Sequence, residues 1–213
     1  MDFIPAQTVL LAYLASVVVL NFTPGPDMTY FLSRTLAQGR LAGFAALLGT
    51  STGIIVHTML VAFGLSALMA ASPNLFLALK IAGALYLAWL AFQAIRHGSA
   101  FHLSRQAGAP HSLFANWWHG AAINILNPKI VLFFLTFLPQ FVSAADPHAR
   151  EKLIFLGLVF SVVGMASMLP LLFMASRFSN RMKSSPRLVR GIDFLFAGVL
   201  GGFAARLLLS GRN

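Results

Sequence analysis

Residues Asn21 to Met28 read NFTPGPDM, two prolines, a glycine and an aspartate set inside one of the most apolar stretches of the chain. Proline removes an N–H and crowds the carbonyl four residues earlier, so Pro24 and Pro26 would release the carbonyls of Leu20 and Phe22. In hydrocarbon such groups cannot stay bare, and non-helical backbone is tolerated only where protein or a watery cavity satisfies it. The break is therefore expected to face an interior. A helix that restarts beyond it presents unpaired N–H groups and the positive end of its dipole, a ready site for a carboxylate. Asp27 falls in the first turn of that restarted helix. The dipole favours its charge and an apolar setting disfavours it, which suits a carboxyl that takes up and releases a proton. It could equally hold a substrate ammonium. Two plainer readings stand beside these: a kink filled by neighbouring side chains, and Asp27 as a helix N-cap at a headgroup boundary.

The surrounding composition is that of a membrane protein. The 213 residues are 58% hydrophobic and 9% charged, against roughly 25% charged in an average soluble domain, and the mean hydropathy is +0.81. A formal charge of +10 would suggest nucleic acid in a soluble chain. Here the basic residues fall between apolar runs, so topology explains them and no nucleic-acid partner is expected. The chain has no cysteine, which excludes disulfides and thiol chemistry. The opening stretch, MDFIPAQTVLLAYLASVVVLNF, lacks the basic start of a signal peptide and is longer than its apolar region needs to be, so we read it as a retained span.

A helix needs about 20 apolar residues to cross the hydrocarbon core. Six segments qualify: residues 4–33, 41–71, 75–95, 113–142, 153–175 and 191–209, the first and fourth of them broken by proline. The expected fold is thus an all-α polytopic membrane protein forming one transmembrane domain over residues 1–213. The hydrophilic RHGSAFHLSRQAGAPHS separates residues 1–96 from 113–213 by a central loop at about 97–112. With the N-terminus outside, the inner loops collect nine Lys and Arg and the outer ones five, and RFSNRMKSSPRLVR alone supplies five of the nine. Positive charge favours the inner side, so N-out and C-out is the expected orientation, with the central loop cytoplasmic. Three spans per half force the halves to run oppositely, and each half opens with a proline-broken span and closes with a glycine-bearing helix. We read them as two inverted three-helix repeats.

The second break, NILNPK, resembles the first. Pro128 would free the carbonyl of Asn124, while Asn124 and Asn127 offer amides and Lys129 is a cation too deep to reach the interface easily. Such a lysine should pair with an acid or a substrate carboxylate, and Asp27 is the candidate acid. Asn21 and Thr23 flank the first break, and Tyr86 and Gln93 lie seven apart on one face of the third span. For Gln93 and for His57 in the second span, interhelical hydrogen bonding is the plainer reading. GTSTG (Gly49 to Gly53) and GVLGG (Gly198 to Gly202) mark close helix contacts, within a protomer or between protomers of a homodimer.

LNFTPGPDMTYFLSRTLAQGRLAGF, KIAGALYLAWLAFQAIR and NILNPKIVLFFLTFLPQFV together resemble the three signature regions of the LysE/RhtB family of bacterial amino-acid exporters, in order and spacing. The resemblance implies a secondary transporter of the bacterial inner membrane, without cofactor or metal, that exchanges amino acids or analogues for protons. Carried over by position, it implies functional breaks at Pro24, Gly25, Pro26 and Asp27 and at Asn124, Asn127, Pro128 and Lys129. Where relatives often have a glycine this chain has Ala91, which is expected to alter local packing only. Which amino acid is carried stays open. Export of another small solute such as a metal ion is an alternative, though the chain lacks soft or multiple acidic ligands. A non-transporting membrane subunit is a further one. An intramembrane enzyme is not expected, because no histidine has a nucleophile, base or metal-ligand setting.

Overall fold

The computed structural model describes residues 4–23, 25–65, 73–97, 110–142, 146–177 and 185–209, and these are helical almost throughout, with no strand among them. Eight helices follow one another: α1 (Gln7–Phe22), α2 (Pro26–Gln38), α3 (Arg40–Met59), α4 (Pro73–His97), α5 (Leu113–Ile125), α6 (Pro128–Leu132), α7 (Ala149–Phe173) and α8 (Pro186–Leu209). α3 runs on through a wider π turn at Leu60–Leu65, and α6 through another at Phe133–Phe137 and a tight turn at Leu138–Phe141. Among the described residues, two helices are long and apolar enough to cross a membrane, Arg40–Gly64 and Ala149–Phe173. The number rises to four if α1 with α2, and α5 with the segment Pro128–Phe141, each count as one bent span.

Proline and glycine shape these elements. Pro26 and Pro128 open α2 and α6, in the first helical position, where a missing N–H costs nothing. α2 ends at Gly39, whose φ of 89° lies in the left-handed region that suits glycine. The chain reverses there into α3. Phe31 and Leu32 of α2 pack with Ala46 and Leu47 of α3, and a methyl on Gly43 would collide with the Thr35 side chain, so the two helices form an antiparallel hairpin.

α3 is the hub, in closest contact with α5 and also packed against α2 and α7. Methyl groups on Gly49 and Gly120 would strike the carbonyls of Trp117 and Ala46, so the α3 and α5 backbones touch. Of the two glycine motifs, GTSTG therefore works within the protomer, whereas Gly198, Gly201 and Gly202 meet nothing within 4 Å. Contacts ordered along the chains give the directions. Gly49 meets Trp117 and Gly53 meets Asn124, so α3 and α5 are parallel. Tyr13 donates to the Leu156 carbonyl at 2.7 Å and Asn21 faces Gly164, so α1 and α7 are parallel as well. Thr58 faces Gly157 while Leu47 packs near Met168, which makes α3 and α7 antiparallel. α4 and α8 pair through Ala84, Ala91, Ala197, Leu200 and Ala204, with Arg190 donating to the Ile95 carbonyl. Ala91, where a glycine was the commoner expectation, is a buried member of that contact.

Among the described residues, two apolar clusters fill the interior beside the smaller one between α4 and α8. One is largely aromatic, built from Tyr13, Phe133, Phe134, Phe137, Phe141 and Phe160 with aliphatic neighbours. The other gathers Met28, Phe31, Leu32, Ala46, Leu47, Met168 and Leu172. The two helix breaks lie between them.

Candidate functional site

α1 and α2 are bent 53° apart at the first break, and α5 and Pro128–Phe141 are bent 50° at the second. Each break supplies what the other lacks. At the C-terminal end of α1 the Thr23 N–H turns back to Leu20 and Val19, 3.2 Å from each carbonyl. Lys129 completes the end: its Nζ donates to the carbonyls of Thr23 at 3.1 Å and Leu20 at 3.4 Å. Leu20 carries the carbonyl that a proline at position 24 deprives of its helical donor, and the negative end of the α1 dipole favours the ammonium there. Lys129 is 7% exposed. A methyl on Gly25 would stand 3.1 Å from Nζ, so glycine leaves room for the cation beside the backbone.

In the other direction Asp27, also 7% exposed, projects from the first turn of α2. Gly25 is the N-cap, with no side-chain cap, so Asp27 is free to reach away from its own helix. Asn124 Nδ2 donates to its Oδ2 at 2.8 Å, and Asn127 Nδ2 donates to its Oδ1. A carboxylate only accepts, which fixes both amide orientations. Asn127 then presents its Oδ1 to the Lys129 N–H at 3.1 Å and caps α6. The carbonyl of Asn124, freed by Pro128, receives the Asn127 N–H at 3.0 Å and faces His57 Nε2 at 3.3 Å. Since a carbonyl only accepts, the His57 proton sits on Nε2. His57 thus makes the interhelical hydrogen bond read for it from the sequence.

Asp27 and Lys129 lie close to each other on either side of Gly25, but their direct hydrogen bonds run to the opposite breaks. The carboxylate goes to the amides of the second break and the ammonium to the carbonyls of the first. Neutral groups, the side-chain amides of the second break and the backbone carbonyls of the first, thus make the direct hydrogen bonds to both charges, which still lie on either side of Gly25, near enough to attract each other. Thr23 is buried, and its hydroxyl turns back to the Val19 carbonyl at 2.9 Å, so its carbonyl is the group facing Lys129. Pro24 lies outside the described residues. Asn21 is half-buried, and its Nδ2 has no partner among the described residues.

Asn21, Asp27, Asn124 and Lys129 are among the residues lining a small, partly open cavity whose interior has room for only a few water molecules in this state. Met28 of α2, Thr50 and Ser51 of α3, and Ser161, Met165 and Met168 of α7 contribute the rest of its polar and sulfur lining, with Gly164 beside them. The α7 residues were not singled out from sequence. A serine and a glycine three apart in an otherwise apolar span were the available signal, since small residues allow close approach. Tyr86 and Gln93 on α4 are not among the lining residues. Tyr86 lies 5.2 Å from the Trp89 ring, and the buried Gln93 Oε1 has no partner among the described residues.

A second polar group ties the far end of α2 to the start of α5. Tyr30 donates to Asn116 Oδ1 at 3.3 Å, and Asn116 donates to Gln38 Oε1 at 3.3 Å. Gln38 in turn donates to the His111 carbonyl at 3.1 Å. Among the described residues, no three His, Cys, Asp or Glu side chains gather in a way that could hold a metal.

The model of one protein family, the LysE type translocators, matches residues 18–211. The chain is 31% identical over 204 residues to the homoserine/homoserine lactone efflux protein of Salmonella typhimurium, covering 95% of this chain and 96% of that one. It is 30% identical to an uncharacterized membrane protein of Bacillus subtilis, over 83% of this chain and 87% of the other. It is 26% identical to the leucine efflux protein of Klebsiella pneumoniae, over 92% and 93%. No solved structure matches it.

Proposed function

We propose that this chain, which belongs to the LysE type translocator family, exports amino acids or their analogues across the bacterial inner membrane in exchange for protons, by alternating access. Members of a translocator family are transporters, and the chain is not an enzyme. Relatives named as homoserine and leucine efflux proteins, aligned over nine-tenths or more of this chain, support amino acids as the cargo. The observation that carries the mechanism is the exchange of partners between the two breaks. Asp27 is held by Asn124 and Asn127, and Lys129 by the carbonyls of Thr23 and Leu20.

In this reading α1 with α2, α3 and α4 are three spans, and α5 with α6, α7 and α8 are three more, running N-out and C-out. The packing supports two inverted repeats. α3 and its counterpart α7 are antiparallel, as are α4 and α8, the relation that a two-fold axis in the membrane plane produces. Two halves rocking about that axis would open the cavity to one side and then the other. The Tyr30, Asn116 and Gln38 contacts would close its inner mouth in the present state.

Proton uptake gives the rocking a trigger. An ionised Asp27 accepts from both asparagine amides, and a protonated one loses acceptor strength toward them. The clamp between the breaks loosens at that moment and the halves can part. A substrate ammonium would compete for the same carboxylate, so proton and substrate would occupy the site in turn. The substrate carboxylate would meet the remaining Lys129 N–H. The open glycine face of α8 at Gly198, Gly201 and Gly202 suits close approach of a second copy in a homodimer.

The test is counterflow by the purified protein in proteoliposomes, with an imposed pH gradient and labelled amino acids. Uptake driven by trapped substrate and accelerated by the gradient is expected. Counterflow that is indifferent to the gradient would remove proton exchange from the mechanism.

A further inference from the structure

The contacts that join α2 to the start of α5 run through the backbone of a residue whose side chain can change charge. The His111 carbonyl accepts from Gln38 Nε2 at 3.1 Å and from Asn116 Nδ2 at 3.4 Å, so it ties the two helices together. The ring of the same residue is half-buried, and its Nδ1 is fully buried with no hydrogen-bond partner among the described residues. The groups around it are basic. The exposed His119 ring lies 5.0 Å from it, centroid to centroid, and 6.4 Å from the Tyr30 ring. Arg34, itself buried, lies over Tyr30 at 5.4 Å and donates to Gln38 Oε1 at 3.3 Å. The single acid of α2 is Asp27, which Asn124 and Asn127 hold, and residues 110–125 carry none. At the start of α3, Arg40 turns away to the Phe173 carbonyl. Burial first, then Arg34 and His119, holds the His111 pKa below the ordinary histidine value.

We infer that His111 is a pH-sensitive latch: neutral, it keeps the mouth between α2 and α5 closed, and protonation releases it. The inference rests on the reading above that these contacts close one mouth of the cavity. A neutral imidazole leaves Nδ1 as a bare acceptor, a modest penalty. A protonated ring donates from both nitrogens, and an unpaired imidazolium buried beside Arg34 and His119 is far less tolerable. The ring then has to turn toward water, and the accompanying backbone shift takes its carbonyl from Gln38 and Asn116. An unperturbed histidine changes charge near pH 6.5, so the latch answers acidification on the side it faces, separately from the Asp27 carboxyl in the cavity.

The chain has no cysteine, so Ser51→Cys on the cavity wall gives a polar maleimide a unique target. The full-length protein in detergent is labelled at about pH 7.5 and about pH 5.5, on either side of the histidine range, with His111 native and with His111→Gln. Comparing the two rates at each pH cancels the pH dependence of the thiol itself. The expected ratio of native to His111→Gln is near one at the higher pH and at least about threefold at the lower. A ratio that does not rise in acid overturns the latch. His111→Arg carries its charge at both values and should label at least about threefold faster than the native ring at the higher pH; no acceleration overturns the latch as well. His119→Gln should keep most of the acid response, and complete loss there overturns the assignment to His111. None of these measurements requires transport, so their failure leaves the export reading standing, and failed counterflow leaves the latch standing.

Discussion

The ammonium of Lys129, at the start of α6, lies 3.1 Å from the carbonyl of Thr23, at the end of α1. A cation from the second half of the chain therefore caps a broken helix of the first. An intramembrane lysine usually requires an acid. Here its direct partners are the carbonyls of a helix C-terminus, while the acid, hydrogen-bonded to the second break's amides, faces it across Gly25.

Lys129→Met is expected to destabilise the protein by about 1–3 kcal/mol, because it strips the donor from the Thr23 carbonyl and leaves that of Leu20 with the Thr23 N–H alone. Lys129→Arg should retain part of that stability, since guanidinium also donates, while transport falls because the larger head does not fit beside Gly25. Thermal unfolding in detergent together with counterflow separates the two effects. A fully stable, inactive Lys129→Met protein would assign the lysine to substrate alone.

For Asp27→Asn the prediction is loss of gradient-driven export, with counterflow retained in part. The new amide cannot accept from both Asn124 and Asn127 on the same pattern, and if Asn127 turns to meet it, α6 loses its side-chain cap at Lys129. Proteoliposome flux with and without a pH gradient measures this. Full proton coupling in the variant would take Asp27 out of the coupling step.

His57 meets the Asn124 carbonyl at 3.3 Å, and it is expected to position that residue. His57→Phe should keep the packing against Phe134, whose ring centroid is 5.6 Å away, and lose the hydrogen bond at a cost of about 1–2 kcal/mol. His57→Gln, which can donate to the same carbonyl, should restore most of the transport rate. Equal rates for the two variants would show that the bond does not hold Asn124 in place.

Gly49 tolerates no side chain. A methyl would overlap the Trp117 carbonyl and the Ala121 amide, which are backbone atoms and cannot swing aside, so Gly49→Ala is expected to cost roughly 1–3 kcal/mol by overpacking. Gly198→Ala, on the open face of α8, should be nearly neutral in the monomer. Unfolding midpoints of the two proteins side by side are the measurement.

Outside the spans, Asp146 is held below the usual carboxylate range, first by the hydrogen bond from Lys152 and then by the His148 N–H. The folded value is depressed, so the stabilisation is present above the unfolded pKa near 3.9 and is lost as the pH falls through the folded value. Asp146→Asn should therefore differ slightly from the natural protein above about pH 4 and converge with it below. Melting curves across that range check the sign, and the difference should be small for a single pair at the protein surface.

Much of this protein was determined by its sequence alone. Scarcity of charge and long apolar runs required membrane helices, because only internally bonded backbone survives in hydrocarbon. The prolines of NFTPGPDM and NILNPK required two breaks, since no rearrangement gives proline an N–H. The three matching regions identified the family, and positions 21–28 and 124–129 marked the two breaks that the fold brings together. Tertiary structure alone decided who meets whom. Asp27 and Lys129 read from sequence as a pair, since opposite charges in an apolar chain seek each other. In the fold they do lie near each other, but packing brings the second break's amides to the carboxylate and the first break's carbonyls to the ammonium, so the direct hydrogen bonds go to neutral groups. Nor could periodicity reveal that α7 closes the cavity with Ser161, Met165 and Met168. A helix apolar on every side has no face to read, and its inward side is chosen only by the helices that surround it.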